Sequence, residues 1–138
     1  MRVFKDVYAQ RLATCHDDLQ QLFEAVNQIV PCYPIVGHRT KADQDAAFAK
    51  KASKLQWPHS KHNSMPSLAV DVVPDMVPET DKLDLDWNYI AHFYYLAGVV
   101  RAEAQRLGIR VRWGGDWDSD GNLKENTFND LVHFELVT

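Results

Sequence analysis

The sequence predicts an α+β fold, in which a small and mainly antiparallel sheet is flanked by helices on one side. Three observations lead to this fold class. Helical and strand-like segments alternate along the chain, the strand-like segments are short, and the chain contains no glycine-rich phosphate-binding loop. The length of 138 residues suits one hydrophobic core, so residues 1–138 are expected to form a single domain.

Hydrophobic periodicity, capping residues and helix breakers define the elements. Apolar residues at helical spacing, between acidic or capping residues and a Pro or Gly, indicate helices. Alternation, or a short apolar run between turn residues, indicates strands. In chain order these rules predict helices at 19–30, 40–52 and 87–107, and strands at 35–36, 68–73, 109–113 and 132–137. The predicted loops, rich in polar, Gly or Pro residues, are 57–67, 75–86 and 114–122.

Composition and charge narrow the function classes. The chain is 46% hydrophobic and 25% charged, as is usual for a folded protein, and its net charge of −4 argues against a nucleic-acid partner. The sequence has no apolar run long enough to span a membrane and no segment that resembles a signal peptide. We expect a monomer that is made in the cytoplasm and does not insert stably into a membrane. Two free thiols are expected at Cys15 and Cys32, with one disulfide as the alternative.

Polar side chains interrupt two of the predicted strands. His133 and Glu135 share one face of the last strand, because side chains alternate along a strand. The apolar residues expected on the other face, towards the core, are Val132, Phe134 and Leu136. Asp71 lies inside an apolar strand, where an unpaired carboxylate is costly to bury. The alternatives are a solvated strand face for His133 and an edge strand in water for Asp71.

His62 lies in the loop before the strand that contains Asp71, so the two side chains can reach one point. With His133 they provide two imidazoles and one carboxylate, a set that suits zinc and leaves a fourth position for water. Spacing alone is weak evidence, because the chain has six histidines. Asp130 adds a second acid three residues before His133, and Arg39 at the end of the first strand supplies a guanidinium.

Four segments resemble those of the zinc DD-peptidases that share a fold with the Hedgehog signalling domain, and more closely the L-alanyl-D-glutamate endopeptidase branch of phage endolysins. They are GHRT (37–40), SKHNSMPSLAVDVVP (60–74), WGGDWD (113–118) and DLVHFEL (130–136). The resemblance covers nearly the whole chain and implies a Hedgehog/DD-peptidase-like fold. The sequence departs from the family between His62 and Asp71, where the spacing is longer than usual and Met65-Pro66-Ser67 stands in place of a Gly.

The resemblance also implies a set of site residues. The implied zinc ligands are His62, Asp71 and His133. The implied catalytic residues are Asp130, as the acid/base, and Arg39, which would polarise the scissile carbonyl. The residues expected to contact substrate or orient a ligand are Ser60, Glu135 and Asp116.

The implied function is that of a zinc metallopeptidase that hydrolyses the L-alanyl-D-glutamate bond of murein stem peptides, as a phage or prophage lysis enzyme acting on the cell wall after release. One alternative is a D-alanyl-D-alanine carboxypeptidase on the same fold, where the last motif more often reads Glu-x-x-His. This chain has Asp130-x-x-His133 instead. Another alternative is a non-catalytic zinc-containing wall-binding module, which would need neither Asp130 nor Arg39.

A second cation site is suggested by an acidic segment after the third predicted strand. The residues that resemble the first half of a calcium-binding loop are Asp116, Asp118, Asp120, Gly121 and Asn122. The acid expected at the twelfth position of such a loop is absent, since Thr127 stands there. Calcium binding and a simple polar turn therefore remain as alternatives.

Overall fold

The computed structural model of the protein describes residues 1–76, 83, 85–122 and 129–137. Its helices are α1 (Asp6–Ala13), α2 (Asp17–Asn27), α3 (Lys41–Ala49) and α4 (Ile90–Leu107). Its strands are β1 (Cys32–Val36), β2 (Ala69–Pro74), β3 (Val111–Gly114) and β4 (Asp130–Leu136). A short 3-10 helix, Lys61–Asn63, lies in the predicted loop between α3 and β2. No helix within the described ranges is both long and apolar enough to span a membrane.

The four strands form one antiparallel sheet in the order β1-β2-β4-β3, which confirms the predicted fold class. β2 and β4 are therefore the central strands. Their register pairs Asp71 directly with His133. Since directly opposed side chains lie on the same face of a sheet, this pairing brings two of the predicted ligands together.

One face of the sheet is covered by α2 and α4. The side chains that form this core include Leu19, Leu22, Phe23, Val26, Val70, Val72, Leu96, Val100 and Phe134. At its centre the rings of Phe23 and Phe134 meet edge to face, with centroids 5.3 Å apart. Both cysteines are buried free thiols, as expected. The apolar layer leaves the opposite face of β2 and β4 for polar side chains.

Two elements differ from the prediction. α1 was not predicted, because it contributes a single buried residue, Leu12, and so shows little apolar periodicity. It packs against β1, where the ring centroids of Tyr8 and Tyr33 lie 4.5 Å apart. β1 is longer than the predicted 35–36 segment and contains Pro34. A proline is tolerated there because β1 is an edge strand of the sheet, where a missing amide donor costs no ladder hydrogen bond.

Candidate metal centre

A cleft of about 440 Å³ lies over the polar face of β2 and β4. Seven of the eight predicted site residues line it: Arg39, Ser60, His62, Asp71, Asp130, His133 and Glu135. The eighth, Asp116, lies away from the cleft and lines a smaller cavity with Arg101 and Trp113. The structure therefore brings together predicted site residues from three sequence segments, 37–40, 60–74 and 130–136, that are distant along the chain.

Three buried side chains present ligand atoms to one point. Nε2 of His62 lies 3.2 Å from Oδ1 of Asp71, and Nδ1 of His133 lies 3.2 Å from the same oxygen. The two imidazole nitrogens are 3.3 Å apart. A tetrahedral zinc ion with bonds of about 2.0–2.1 Å would hold its ligand atoms roughly 3.4 Å apart, so this nearly equilateral triangle matches zinc in size and in donor type.

The remaining nitrogen of each imidazole is bonded to the protein. Nδ1 of His62 is 2.7 Å from the carbonyl oxygen of Gly37, to which it donates a hydrogen bond. Nε2 of His133 is 2.8 Å from Oε1 of Glu135 and donates to it. Each bond fixes the tautomer and the ring orientation, and leaves the other nitrogen free to ligate. The residues present therefore fit a zinc ion in two ways: the candidate ligand atoms have the right spacing, and hydrogen bonds to the protein hold both imidazole rings in place.

The 3-10 helix delivers His62 to this point. Ser60 caps the helix, since its hydroxyl accepts a hydrogen bond from the backbone N–H of His62. Asn63 completes the cap by accepting a hydrogen bond from the backbone N–H of Ser60 at 3.1 Å. Ser60 is expected from the sequence to contact substrate. In the structure it lines the cleft and also stabilises the turn that carries His62.

The charges of the chain favour a cation at this point. Burial disfavours the charged form of Asp71, but the nearby His62 and hydrogen bonds to His133 and His62 hold the pKa of this carboxyl well below its ordinary value. Burial also disfavours charge on His133, but hydrogen bonds to Asp71 and Glu135 outweigh it and raise the pKa of His133 to about 9. A proton on His133 thus occupies the place of a metal, and metal binding would release it.

Asp130 reaches the cleft because of an irregularity in β4. Between the adjacent residues Trp113 and Gly114 of β3, the paired position on β4 moves from Phe134 to Asp130. In a regular strand Asp130 and His133 would face opposite sides of the sheet. The bulge places both in the cleft.

The prediction for Val132 was wrong because of the same bulge. Val132 was expected to face the core with Phe134 and Leu136, but it lines the cleft and is only partly buried. Phe134 and Leu136 lie in the core as predicted. The alternation rule failed at Val132 because it assumes unbroken pairing with β3.

The environment of Asp130 favours its protonated form. Burial and the nearby charge of Asp71 raise the pKa of Asp130 above its ordinary value, and the positive charges of His133, His62 and Arg39 oppose this only in part. A carboxyl group with a raised pKa, lying in the same cleft as three clustered ligand atoms, is suited to accept and return a proton.

Arg39 lies beside the second oxygen of Asp71. Its Nη2 is 3.5 Å from Oδ2 of Asp71, and its side chain is largely buried. The sequence placed Arg39 at the end of a strand, but β1 ends at Val36 and Arg39 follows in a segment without regular secondary structure. The backbone N–H of Arg39 donates to the carbonyl of His62 at 2.8 Å, which fixes this segment to the 3-10 helix.

Two further side chains lie beside the imidazole of His133 or its support. The ammonium of Lys61 lies 3.3 Å from Oε2 of Glu135, so a cation supports the carboxylate that orients His133. Lys61 directly precedes His62, but a single lysine in a polar loop carries no signal of its role. The ring of Trp117 lies 5.5 Å from the ring of His133 and shields one side of the centre.

The acidic loop after β3 gathers three carboxylates. Asp116, Asp118 and Asp120 each offer an oxygen, and these oxygens lie within 4.8 Å of one another. Asp116 is buried, whereas the other two are exposed. The backbone N–H of Gly121 donates to Oδ2 of Asp116 at 2.9 Å, as in a tight polar turn. Thr127, the remaining position of the calcium-loop prediction, lies outside the described residues.

Comparisons with known proteins agree with this geometry. The profile of the phage L-alanyl-D-glutamate peptidase family matches residues 3–137. The chain is 30% identical over 134 residues to the L-alanyl-D-glutamate peptidase of Escherichia phage T5, covering 93% of each protein.

Two solved structures are similar in fold. The Serratia marcescens L-Ala D-Glu endopeptidase ChiX superposes with a TM-score of 0.68 at 27% identity, over 97% of this chain and 89% of that one. The vancomycin-resistance D,D-dipeptidase VanXYg, solved with a D-Ala-D-Ala phosphinate analogue, shares the fold with a TM-score of 0.53 at 21% identity, over 88% of this chain and 48% of that one. On these grounds the chain belongs to the phage L-alanyl-D-glutamate peptidase family.

Proposed function

We propose that this protein is a zinc-dependent peptidase that hydrolyses the bond between L-alanine and D-glutamate in peptidoglycan stem peptides. The observation that carries the proposal is the triangle of ligand atoms from His62, Asp71 and His133, which lies in one cleft with Asp130 and Arg39. The names of the phage T5 and Serratia relatives support this scissile bond.

The chemistry is divided among a few side chains. Zinc, when held by His62, Asp71 and His133, supplies Lewis acidity and makes water a better nucleophile at neutral pH. The carboxylate of Asp130 takes a proton from the attacking water and later returns it to the amine of D-glutamate as this leaves. The guanidinium of Arg39 stabilises the negative charge that develops on the carbonyl oxygen of L-alanine.

The remaining site residues position these groups. Glu135 holds the ring of His133, with Lys61 and Arg112 lying 3.3 Å and 3.8 Å from the far oxygen of that carboxylate. Burial favours the neutral form of Glu135, but hydrogen bonds and charge from His133 and Lys61 outweigh it and lower the pKa of this carboxyl. A charged acceptor makes the imidazole a better ligand.

We further propose that the chain acts as one domain and as a monomer, in the release of phage or prophage progeny, on a wall that it reaches only after the cell membrane has been breached. Its net charge of −4 supports the expectation that nucleic acid is not a partner. Calcium binding by Asp116, Asp118 and Asp120 stays a prediction, and we assign Asp116 no role at the cleft.

The proposal is tested with insoluble murein sacculi. Zinc-loaded protein, protein stripped with a chelator, and stripped protein to which zinc is returned are each incubated with the same sacculi, and the soluble peptide released is measured. A zinc peptidase releases peptide in the first and third cases only. A wall-binding module would sediment with the sacculi in every case and release nothing, and that result would overturn the proposal.

A further inference from the structure

Gln44 is a fully buried polar residue on α3, with 0% of its surface exposed. It does not line the cleft, and no motif in the sequence marks it. A buried amide is costly unless its hydrogen-bonding groups are satisfied. The partners that Gln44 finds therefore indicate why a glutamine is used at a position that an apolar residue could fill.

Its amide group joins four separate groups. Nε2 donates to the carbonyl oxygen of Leu55 at 2.7 Å and to Oγ of Ser53 at 2.9 Å. Oε1 accepts from Nδ2 of Asn63 at 3.1 Å and from Nη1 of Arg39 at 3.4 Å. The partners themselves fix the orientation of the amide, because the guanidinium of Arg39 can only donate and the carbonyl of Leu55 can only accept.

Three of these partners line the cleft, and the fourth supports a residue that lines it. Arg39 is the guanidinium beside Asp71, and Ser53 and Leu55 lie on the rim of the cleft. Asn63 closes the cap of the 3-10 helix that carries His62. One buried side chain thus connects the side chain of Arg39, the rim segment 53–55 and the turn before β2.

We propose that Gln44 is a positioning residue that holds Arg39 in its catalytic orientation and fixes the rim segment 53–55. The inference rests on the proposed function, because it assigns Gln44 an effect on the reaction through Arg39. Without Oε1, the one polar contact left to the guanidinium among the described residues is that of 3.5 Å with Asp71, so the group can rotate within the cleft. A misplacement of this kind can cost about 10–100-fold in rate even when the misplaced group is retained.

The test is a double-mutant cycle of Gln44→Met and Arg39→Ala, both in zinc-loaded protein with a muropeptide substrate. Methionine keeps the volume of the side chain and removes both halves of the amide. The Gln44→Met variant should lose about 10–100-fold in kcat with KM little changed. In the Arg39→Ala background the same substitution should change kcat by less than about 2-fold, because Gln44 acts through Arg39.

A second readout does not depend on activity. In zinc-free protein, the amide of Leu55, which donates to Oγ of Ser53 at 3.1 Å, should exchange with solvent faster in Gln44→Met than in the wild type. Gln21→Met, at an exposed position on α2, is the matched control and should change neither kcat nor this exchange rate. If Gln44→Met does not fold, Gln44→Leu replaces it, since it is also apolar and removes both halves of the amide.

Several results would overturn the inference. One is a double variant whose loss in kcat is the product of the two single losses, as expected for a residue that only supports the fold. Another is a wild-type kcat in the Gln44 variant. If the wild-type protein cleaves no muropeptide, the proposed function fails, and the exchange of Leu55 then decides alone. An unchanged exchange rate would contradict the role of Gln44 at the rim.

Discussion

Glu135 and His133 are joined by a hydrogen bond of 2.8 Å between Oε1 and Nε2, which leaves Nδ1 of His133 facing Asp71. The two residues lie on the same face of β4, so the strand itself presents a ligand together with its support. This relationship leaves Nδ1 as the nitrogen through which His133 would hold a metal, because Nε2 is bonded to Glu135.

Removing the support should weaken metal binding. In Glu135→Ala, His133 loses the acceptor that fixes its tautomer, and zinc affinity should fall about 10–100-fold. Glu135→Gln keeps an acceptor oxygen without the charge and should fall between this variant and the wild type. Competition with a zinc-binding dye gives the affinities. Glu24→Ala, at an exposed position on α2, is the control. Equal affinity in Glu135→Ala and wild type would show that the bond does not tune the ligand.

Gly37 provides a test of the other imidazole. A Cβ at this position would lie 2.3 Å from both the carbonyl oxygen of Arg11 and Oγ1 of Thr14, so the backbone would have to move. The carbonyl of Gly37 orients His62, and its movement should lower zinc affinity. Gly37→Ala should also reduce the free energy of unfolding by about 1–3 kcal/mol, as for other overpacked sites.

The matched control for Gly37→Ala is Gly98→Ala. Gly98 lies inside α4 and has no atom within 4 Å of an added Cβ. Because alanine favours helix more than glycine does, this variant should gain about 0.5–1 kcal/mol and keep its zinc affinity. Chemical denaturation and zinc competition measure the two quantities. A stable Gly37→Ala protein with unchanged zinc affinity would contradict the account of this contact.

Asp130→Asn separates catalysis from metal binding. The asparagine has nearly the same shape but cannot take a proton from water, so activity should fall by about 10²–10⁴-fold while the fold and the zinc content stay the same. Metal analysis and circular dichroism of the same preparation provide the control. If the zinc-loaded variant kept its activity, Asp130 would not be the base.

Lowering the pH should first reduce the reaction rate and then, as a separate step, remove the bound zinc. Asp130 must be ionised to accept a proton, and its pKa is raised, so the rate should decline as the pH falls through a value above that of an ordinary aspartic acid. In the metal-free protein the pKa of His133 is about 9, so protons compete with zinc below that pH, and the apparent zinc affinity weakens steadily on acidification. A tightly held metal should nevertheless remain until the pH is lower than that at which the rate declines.

The two steps are measured on the same samples. Activity and bound zinc are followed across a pH series at a fixed total zinc concentration. The expected profile shows a decline in activity while zinc is still bound, followed by loss of zinc. Simultaneous loss of both at every pH would leave no support for a separate role of Asp130.

The sequence predicted that His62, Asp71 and His133 lie together, and the structure places their ligand atoms within 4.8 Å of one another. Strand alternation predicts the direction of Asp71 within an apolar strand and of His133 on the polar face of another strand. The cross-strand pairing of these two residues confirms that both side chains lie on one face of the sheet. The position of Asp130 could not be derived in this way, since it depends on a bulge in the pairing of β4 with β3. A residue pattern describes one strand at a time, whereas register is a property of two paired strands.

Other parts of the site depend on contacts between distant segments. The crowding at Gly37 arises from α1, a helix with too few apolar residues to predict. Gln44 is polar and lies on a short helix, where sequence reasoning expects a solvated side chain, yet it is fully buried. Its burial follows from the partners that surround it, and none of these lies within one turn of it on α3.

Mass analysis of muropeptides after digestion shows most directly which bond the protein hydrolyses. Purified muropeptides of known sequence are treated with zinc-loaded protein, and the products are identified by mass and by labelling of new amino termini. We expect cleavage to leave L-alanine at a new carboxyl terminus and D-glutamate at a new amino terminus. Release of D-alanine, with the bond between L-alanine and D-glutamate intact, would contradict it and favour the carboxypeptidase alternative.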